Sequence, residues 1–212
     1  MRVTVFGASG AIGRLVVQQL LDDGHQVTAL VRTPGKLAVT HADLTVVAGQ
    51  LSDCDAVEQA VSGADAVISA LGPSLKRSTT GTQVTDGTRS IVQVMERRRV
   101  RRFIGLATPS LADPQDKPHW KHKVLPVLAG LMFPNALAEM KGMTAAVTAS
   151  DLDYTIARIT NPTHKPATGH IRSGFLGHDR IGSAMTRADI AAFLVSQLTD
   201  TRYRRAMPAI SN

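Results

Sequence analysis

The stretch Val3-Thr4-Val5-Phe6-Gly7-Ala8-Ser9-Gly10-Ala11-Ile12-Gly13 decides the fold of this chain. Its first part belongs to a short apolar run, Arg2–Phe6, which is typical of a buried strand. Its last part opens the segment Ala11–Leu21, where apolar residues recur at helical spacing. The sequence therefore predicts a strand, a glycine-rich turn and a helix in immediate succession.

The three glycines of this turn have the context that a dinucleotide-binding motif requires. Gly7 permits a tight turn, Gly10 lets the backbone approach a pyrophosphate, and Gly13 lets the helix pack closely on the strand. The helix N-terminus adds free N–H groups and a partial positive charge. The spacing is GxxGxxG rather than the GxGxxG of many dehydrogenases. We expect the whole loop to contact a cofactor: Gly7, Ala8, Ser9, Gly10, Ala11, Ile12 and Gly13.

Outward from this motif, short β-rich runs alternate with helical patterns. Further strands are predicted at Gln26–Val31, Leu44–Ala48, Ala66–Ala70, Arg102–Ala107 and Asp153–Ile159. Helices are predicted at Cys54–Val61, Gly81–Arg98 and Ala136–Ala149, with a last one opening at Thr186 and ending near Leu198. This alternation predicts an α/β protein: a single-domain Rossmann fold with a doubly wound, mainly parallel sheet. Residues 1–212 then form one NAD(P)-binding domain, with 109–140 and 160–185 as substrate-side insertions and one short hairpin within 160–182.

Length and composition agree with one domain. The chain has 212 residues, of which 43% are apolar, and roughly 100–200 residues per domain is usual. The single cysteine, Cys54, cannot form an internal disulfide, which favours a reducing, cytoplasmic location. No run approaches the roughly 20 apolar residues that span a bilayer, so we expect no membrane association.

The net charge of +7 is unevenly distributed. Residues 1–75 are mildly acidic, whereas 76–102 carry eight basic and two acidic side chains. Much of this excess is the arginine cluster formed by Arg97, Arg98, Arg99, Arg101 and Arg102. Cations at a helix C-terminus complement its dipole, so a solvated helix end is the favoured interpretation. A phosphate-backbone patch or a dock for an acidic partner are the alternatives, but no aromatic residue is interleaved with the arginines, and we expect no nucleic acid as partner.

The end of the second predicted strand indicates which cofactor is bound. An acidic residue there would accept a hydrogen bond from the ribose 2′-hydroxyl of NAD. This chain has Arg32 instead, with Thr33 and Lys36 close behind and no acid before Asp43. A guanidinium can clamp a 2′-phosphate with two hydrogen bonds. NADP(H) is therefore preferred over NAD(H), the alternative being that Arg32 is an ordinary surface arginine.

With these segments in hand, the chain resembles the atypical short-chain dehydrogenase/reductase superfamily. More closely, it looks like the NAD(P)H-binding group that contains flavin reductase/biliverdin-IXβ reductase and NmrA-like proteins. The likeness runs nearly end to end. It rests on the glycine motif, Val27 to Arg32, Asp65 to Gly72, Phe103 to Thr108, Ser150 to Ile156 and the final helix.

The resemblance implies further cofactor contacts at the carboxyl ends of the strands. Ala70, Leu71 and Gly72 would lie beside the cofactor; Leu106, Ala107 and Thr108 under the nicotinamide; and Ile159, Thr160 and Asn161 at the nicotinamide end. Gln50 and Leu51 would border the adenine, although many relatives have an acid near position 50. Thr108 stands where the family often carries serine or threonine, so its hydroxyl is the candidate catalytic group, either orienting the carboxamide or substrate or only capping the strand.

The chain departs from the tyrosine-dependent branch of that superfamily. That branch uses a Tyr-x-x-x-Lys pair, whereas here Tyr154 is followed by Arg158 and Tyr203 by Met207. We expect Tyr154 to serve packing. Glu139 and Lys141 are expected on the surface of the helix before the sixth strand, since their spacing gives no catalytic reason.

These observations favour an NADPH-dependent reductase that passes hydride to a conjugated small-molecule acceptor such as a flavin, quinone or tetrapyrrole, with a proton from solvent. The alternative is a non-enzymatic NADP(H) sensor of the NmrA-like kind, in which the arginine cluster docks an acidic partner. An epimerase is a weaker third hypothesis, because no acid/base pair is found. Candidate wall residues of the acceptor pocket are His119, Trp120, Met132 and Phe133. The chain is expected to be a monomer or a homodimer.

Overall fold

In the computed structural model, which describes residues 1–75, 79–117, 127 and 130–212, strands and helices alternate as the sequence predicts. The strands are β1 Arg2–Phe6, β2 Gln26–Val31, β3 Leu44–Ala48, β4 Ala66–Ser69, β5 Arg102–Ala107, β6 Asp153–Ile159, β7 Asn161–Thr163, β8 Arg172–Gly174, β9 Ala184–Thr186 and β10 Ala209–Ser211. The helices described are α1 Gly13–Asp22, α2 Cys54–Val61, α3 Gln83–Arg97, α4 Pro134–Thr148 and α5 Arg187–Ser196, with a 3₁₀ turn at Pro34–Lys36.

The main sheet has eight strands in the order β3-β2-β1-β4-β5-β6-β10-β8. Strands β1 to β6 and β10 run parallel, and β8 joins β10 antiparallel. Strands β7 and β9 form a separate two-stranded sheet. The strand order reverses between β1 and β4, and open α/β sheets bind ligands at the carboxyl ends of the strands at such a point. The predicted doubly wound, mainly parallel Rossmann fold is confirmed.

Helices cover both faces of this sheet. On one face α1 and α5 bury a cluster that includes Val17, Leu20 and Leu194 against the strands. On the other, α2, α3 and α4 bury a second cluster with Val57 and Met95 at its centre. Parallel strands with both faces covered must be apolar throughout, and β4 and β5 are buried over their whole length.

The predicted bounds of β1, β2, β3, β5, β6 and α2 agree with the structure, whereas several other ends shift by one or two residues. Strand β4 ends at Ser69, and α1 begins at Gly13 because the glycine turn occupies the two preceding residues. Helix α5 begins one residue after Thr186, whose hydroxyl accepts a hydrogen bond from the Asp189 N–H at 3.0 Å.

The predicted hairpin within 160–182 is wrong. Strand β7 pairs with β9, and β8 pairs with β10, so the two strands of this segment belong to different sheets. Each has only three residues, which is too short for a periodic pattern to reveal its partner. Strands β9 and β10, which complete the pairs, carry no such pattern either.

A buried carboxylate ties this part of the chain together. Asp189, 2% exposed, accepts hydrogen bonds from the Thr168 and Gly169 N–H groups, from the Thr168 and Thr186 hydroxyls, and from the Asn212 amide. Burial acts to raise the pKa of Asp189, but these donors outweigh it and hold the pKa at about 2. One side chain thereby fixes the start of α5 to two distant segments.

The arginine cluster is divided between surface and interior. Arg97 and Arg98 pair with Glu58 of α2 at 3.1 and 2.5 Å, and they remain about half exposed. Arg102 is 8% exposed, and its guanidinium donates to the Gln197 and Asp153 carbonyls and the Thr155 hydroxyl. Arg97 and Arg98 therefore fit the interpretation of a solvated helix end. Arg102 instead connects β5 to β6 and to the residue that follows α5.

Candidate functional site

The glycine turn closes tightly against the start of the chain after β4. Gly7 has a φ of 76°, a left-handed conformation that favours glycine, and a Cβ placed on it would lie 2.8 Å from the Ala70 carbonyl carbon. The Gly10 N–H donates to the Gly7 carbonyl at 2.9 Å. A Cβ on Gly13 would overlap that same carbonyl oxygen. Two of the glycines are thus required by close backbone contact, as the motif predicted.

The loop leaves an open helix N-terminus behind it. No side chain of the described residues caps α1, and the first turn of this helix holds no acidic residue. Ser9, Gly10 and Ala11 are exposed, whereas Ala8 is buried and Ile12 packs against the core. Uncapped N–H groups at an exposed helix start attract anions. The arrangement therefore fits a dinucleotide pyrophosphate, with the backbone of residues 9–11 reaching the surface and Ala8 and Ile12 anchoring the loop.

Basic side chains follow β2 beside this loop. Arg32, Thr33 and Lys36 are all exposed, and Arg32 makes no ion pair within the described part of the chain. Since Phe6 of β1 pairs with Leu30 of β2, Arg32 continues β2 at the level of the glycine turn. The residues present fit a 2′-phosphate, because Arg32 has no carboxylate partner among the described residues and follows β2, where the motif places the ribose 2′-position.

The two predicted adenine neighbours differ in their surroundings. Gln50 is exposed, and its carbonyl accepts from the Asp53 N–H at 3.1 Å in the turn before α2. Leu51 is half-buried and packs against α3. A Cβ placed on Gly87 of α3 would lie 2.6 Å from the Leu51 Cβ. The first faces solvent beside β3, and the second joins the hydrophobic cluster.

The parallel register brings the other predicted contacts to the same sheet edge. Ala107 of β5 pairs with Arg158 of β6, so Thr108 and Ile159 follow at one level. The Ala70 N–H donates to the Phe6 carbonyl at 2.9 Å, which holds the chain after β4 beside the glycine turn. Nine predicted residues accordingly lie at the carboxyl ends of three neighbouring strands: Ala70, Leu71, Gly72, Leu106, Ala107, Thr108, Ile159, Thr160 and Asn161.

One hydroxyl at this edge has no hydrogen bond. The Oγ1 atom of Thr160 is buried and finds no partner among the described residues. Buried polar atoms are nearly always paired, since an unpaired one costs about 1–3 kcal/mol. An orphaned hydroxyl directly after β6 fits a site in which a bound molecule completes the pairing.

Tyr154 and Arg158 have structural surroundings. Tyr154 is 9% exposed near the start of β6, and it is part of the second hydrophobic cluster. The side chain of Arg158 is fully buried and donates to both carboxylate oxygens of Asp116, at 2.5 and 2.7 Å. The expectation that Tyr154 serves packing agrees with this geometry. An arginine within a central strand signals a buried acid, but the sequence does not say which one.

Asp116 is the anchor that sequence reasoning missed. It also accepts from the Asp113 and Leu176 N–H groups at 2.9 and 2.8 Å. Burial acts to raise the pKa of this carboxyl, yet the hydrogen bonds from Arg158 and the backbone hold the pKa below its usual value. Residues 110–117 are thereby held on the face of β6.

The surface position expected for Glu139 is wrong, while Lys141 is exposed as expected. Glu139 is 9% exposed and accepts from the Thr85 N–H at 2.6 Å and the Thr85 hydroxyl at 2.8 Å. Helix α3 has no capping side chain of its own, so Glu139 of α4 satisfies its first N–H groups from across the helix contact. A local spacing cannot reveal a cap supplied by another helix.

The four candidate wall residues of the acceptor pocket are only partly within the described part of the chain. His119 and Trp120 lie outside the described residues. Met132 is 55% exposed and Phe133 is half-buried just before α4. Over the residues described, no group of three or more His, Cys, Asp or Glu side chains could hold a metal ion. Nor does any helix there have the length and apolar character to cross a bilayer.

Comparisons with known proteins agree with this geometry. A family model described as NAD(P)H-binding matches residues 7–201. The photosystem II assembly factor Ycf39 of Synechocystis sp. is 28% identical over 163 residues, which are 75% of this chain and 44% of that protein. The 3-diazoavenalumate denitrifying reductase of a Streptomyces species is 32% identical over 190 residues, covering 82% and 60%. The chain thus spans about half the length of these curated relatives.

Solved structures share the fold over the entire chain. The anaerobilin reductase ChuY of Escherichia coli O157:H7 matches with a TM-score of 0.80 at 20% identity, covering 100% of this chain and 97% of that one. A short-chain dehydrogenase/reductase of Veillonella parvula, solved with NADP, matches with a TM-score of 0.77 at 20% identity, covering 100% and 94%. At such identities the likeness concerns the fold.

Proposed function

The chain belongs to the NAD(P)H-binding family, and we propose that it is an NADPH-dependent reductase which passes hydride to a conjugated acceptor such as a flavin, quinone or tetrapyrrole. The observation that carries this proposal is the carboxyl edge of the sheet. There, an uncapped α1 N-terminus follows the glycine turn, Arg32 follows β2 at the same level, and the buried Thr160 hydroxyl lacks a partner among the described residues. The names of two similar proteins, both reductases, support the reaction class.

The residues of this edge would bind and orient rather than exchange protons. The backbone of residues 9–11 holds the pyrophosphate, and Arg32, with Thr33 and Lys36, holds the 2′-phosphate. The hydroxyls of Thr108 and Thr160 orient the nicotinamide end. When bound, NADPH supplies the hydride, and the cofactor carries the difficult chemistry. The hydride carries two electrons and one proton to the acceptor. Where the reduced acceptor needs a second proton, that proton comes from solvent.

The position of Tyr154 favours a reductase over a tyrosine-dependent alcohol dehydrogenase. It lies five residues before Ile159, and a strand rises about 3.3 Å per residue, so their backbones are roughly 16 Å apart. Arg158, in the place of the pairing lysine, is occupied by Asp116. A conjugated acceptor that takes its proton from water needs neither group.

The proposal is tested by NADPH oxidation against a panel of flavins, quinones and linear tetrapyrroles under steady-state conditions. We expect at least one acceptor to show saturable turnover, faster with NADPH than with NADH. Tight NADPH binding without turnover on the whole panel would favour the NADP(H) sensor instead. The likeness to a protein named as an assembly factor is the observation on that side.

The cofactor preference has its own test, which does not depend on turnover. Arg32→Asp removes the proposed phosphate clamp and places a carboxylate near the 2′-position. Charge-assisted hydrogen bonds contribute about 1.5–3 kcal/mol, so we expect NADP⁺ binding to weaken by roughly tenfold or more, with NAD⁺ binding unchanged or improved. Calorimetric titration with both cofactors measures this.

The matched control is Arg180→Asp. Arg180 is exposed and follows β8, six strands away from β2 in the sheet. Arg180→Asp changes the charge by the same amount as Arg32→Asp. Its cofactor preference should remain that of the unmodified protein. An unaltered NADP⁺ preference in Arg32→Asp would exclude the assignment of Arg32.

A further inference from the structure

A second cavity lies away from the glycine loop, on the α4 side of the sheet. Its volume is about 700 Å³, within the range of about 300–1,000 Å³ that small-molecule sites occupy. Residues 110–115, the last turns of α4, Tyr154, Arg205 and Met207 form its walls. None of the residues expected to contact the dinucleotide lines it. It opens beside the start of β6, the opposite end of that strand from Ile159.

The polar groups of this cavity are mostly hydrogen-bond donors. Lys141 is exposed on α4 and forms no ion pair with any described residue. The guanidinium of Arg205 lies 5.5 Å from the centre of the Tyr154 ring, and it donates to the Leu152 and Ser150 carbonyls. Burial raises the pKa of the Tyr154 hydroxyl, which keeps this group protonated over the neutral range.

Among the described lining residues, one side chain is acidic, and it already accepts hydrogen bonds from the backbone. Asp113 is 5% exposed, and its two carboxylate oxygens accept separately from the Gln115 N–H at 2.8 Å and the Met207 N–H at 2.7 Å. Its charge is therefore committed to the backbone. Among the described lining residues, the donors that face the cavity have no other carboxylate to accept from them.

Thr144 supplies the most specific signal. It lines the cavity from α4, it is 8% exposed, and its Oγ1 has no hydrogen-bond partner among the described residues. A helical threonine ordinarily bonds back to the carbonyl one turn earlier, as Thr88 does to the Val84 carbonyl at 2.8 Å. An unmade hydrogen bond on a buried hydroxyl is costly unless something else accepts it.

The rest of the wall is apolar. Leu111, Ala112, Pro114, Ala145 and Met207 surround the ring of Tyr154. A fitting ligand has an apolar, preferably planar body for these side chains and the ring. It also has an acceptor-rich, negatively charged group for the donors.

We propose that this cavity binds a small amphipathic anion, an aromatic carboxylate or sulfonate. Its apolar body packs on Tyr154 and Met207, and its charged group pairs with Lys141. It also accepts from the Thr144 hydroxyl, which rotates about χ1 to reach the ligand because its Oγ1 has almost no accessible surface in the free chain. None of the lining residues is among the predicted dinucleotide contacts, and the proposal does not rest on the proposed reductase activity.

The test uses 8-anilinonaphthalene-1-sulfonate, an aromatic sulfonate that fluoresces in apolar surroundings, titrated into the full chain with saturating NADP⁺ present. We expect saturable binding at one site per chain. Thr144→Val keeps the shape of the side chain and removes only the orphaned hydroxyl. It should weaken the probe about three- to tenfold while leaving the melting temperature unchanged or higher. Lys141→Gln should weaken the probe by a similar factor, and the loss should shrink at high salt.

Two matched controls separate the cavity from general effects. Thr88→Val removes a buried helical hydroxyl that is already satisfied, and Lys165→Gln removes an exposed lysine elsewhere. Both should retain the probe affinity of the unmodified chain. Probe binding that is seen only when NADP⁺ is left out, or equal affinity in Thr144→Val, Lys141→Gln and the controls, would overturn the proposal.

Discussion

The two ends of β6 are built by different means. Its carboxyl end belongs to the sheet edge where the glycine turn and the chain after β4 meet through backbone contacts such as that between Gly7 and Ala70. Beside its start, the walls are held by side chains that bind distant backbone, as Asp113 does with Met207. The first arrangement depends on local sequence and strand order, whereas the second depends on buried charges whose partners are far away in the chain.

The largest effect is expected where a buried charge loses its partner. Asp116→Ala leaves the fully buried guanidinium of Arg158 uncompensated and frees the loop that carries residues 110–117. Breaking a buried pair from one side costs about 3–5 kcal/mol. The free energy of unfolding, measured in urea, should fall by that amount.

Asp151→Ala, at an exposed carboxylate in the turn before β6, is the control and should stay within about 0.5 kcal/mol. The double variant Asp116→Leu with Arg158→Met should recover much of the stability, because neither charge is then buried alone. A loss below about 1 kcal/mol in Asp116→Ala would contradict the view that this charge pair holds the loop on β6.

The carboxyl end should instead respond to a single added methyl group. Gly13→Ala places a Cβ against the Gly7 carbonyl, and overpacking of this kind costs about 1–3 kcal/mol. Because the same movement displaces the start of α1, NADP⁺ affinity should fall at least about tenfold, as followed by calorimetry.

Gly35→Ala is the matched change, since a Cβ there meets nothing within 4 Å. Its stability should remain near that of the unmodified chain. If Gly13→Ala keeps both its stability and its NADP⁺ affinity, the close contact between helix and turn is not what shapes the cofactor edge.

A smaller, pH-dependent effect is expected from Asp189. Its pKa of about 2 lies below the ordinary value of 3.8, so the folded state binds this proton less readily than the unfolded state. The stability that this carboxylate contributes is complete above about pH 4 and is lost as the pH falls towards 2. Asp189→Asn should therefore be less stable at pH 7, by about 1–2 kcal/mol, and the difference should narrow in acid.

Thermal unfolding between pH 2 and pH 7 measures that convergence. Asp151→Asn serves as a control, since an exposed aspartate with no ion pair to a described residue should give a constant small difference. Parallel curves for Asp189→Asn and the unmodified protein would show that the donors around Asp189 do not prefer its charged form.

The sequence predicts the features that depend on local contacts better than those that depend on long-range side-chain contacts. The strands β1 to β6, their parallel order and the glycine turn follow from apolar runs and from the spacing of Gly7, Gly10 and Gly13, because these features act within a few residues. The partners of Arg158 and Thr85 do not, since Asp116 and Glu139 reach them across 42 and 54 residues. No periodic pattern marks a contact of that range. The three-residue strands β7 to β10 are equally unreadable, because each is defined only by its neighbour.

The position of β10 between β6 and β8 also has a consequence for the order in which the molecule forms. Strand β8 pairs with β10, whose residues are synthesised 35 positions or more after it. The hydrogen bond from the Met207 N–H to the Asp113 carboxylate likewise forms only after residue 207 has been synthesised. Strands β1 to β5 all lie within residues 2–107, so their pairings, including that of β1 with β4, can be completed before the second half of the chain is synthesised. The dinucleotide edge therefore takes shape early in synthesis, and the cavity beside Tyr154 closes only once the last strand is in place.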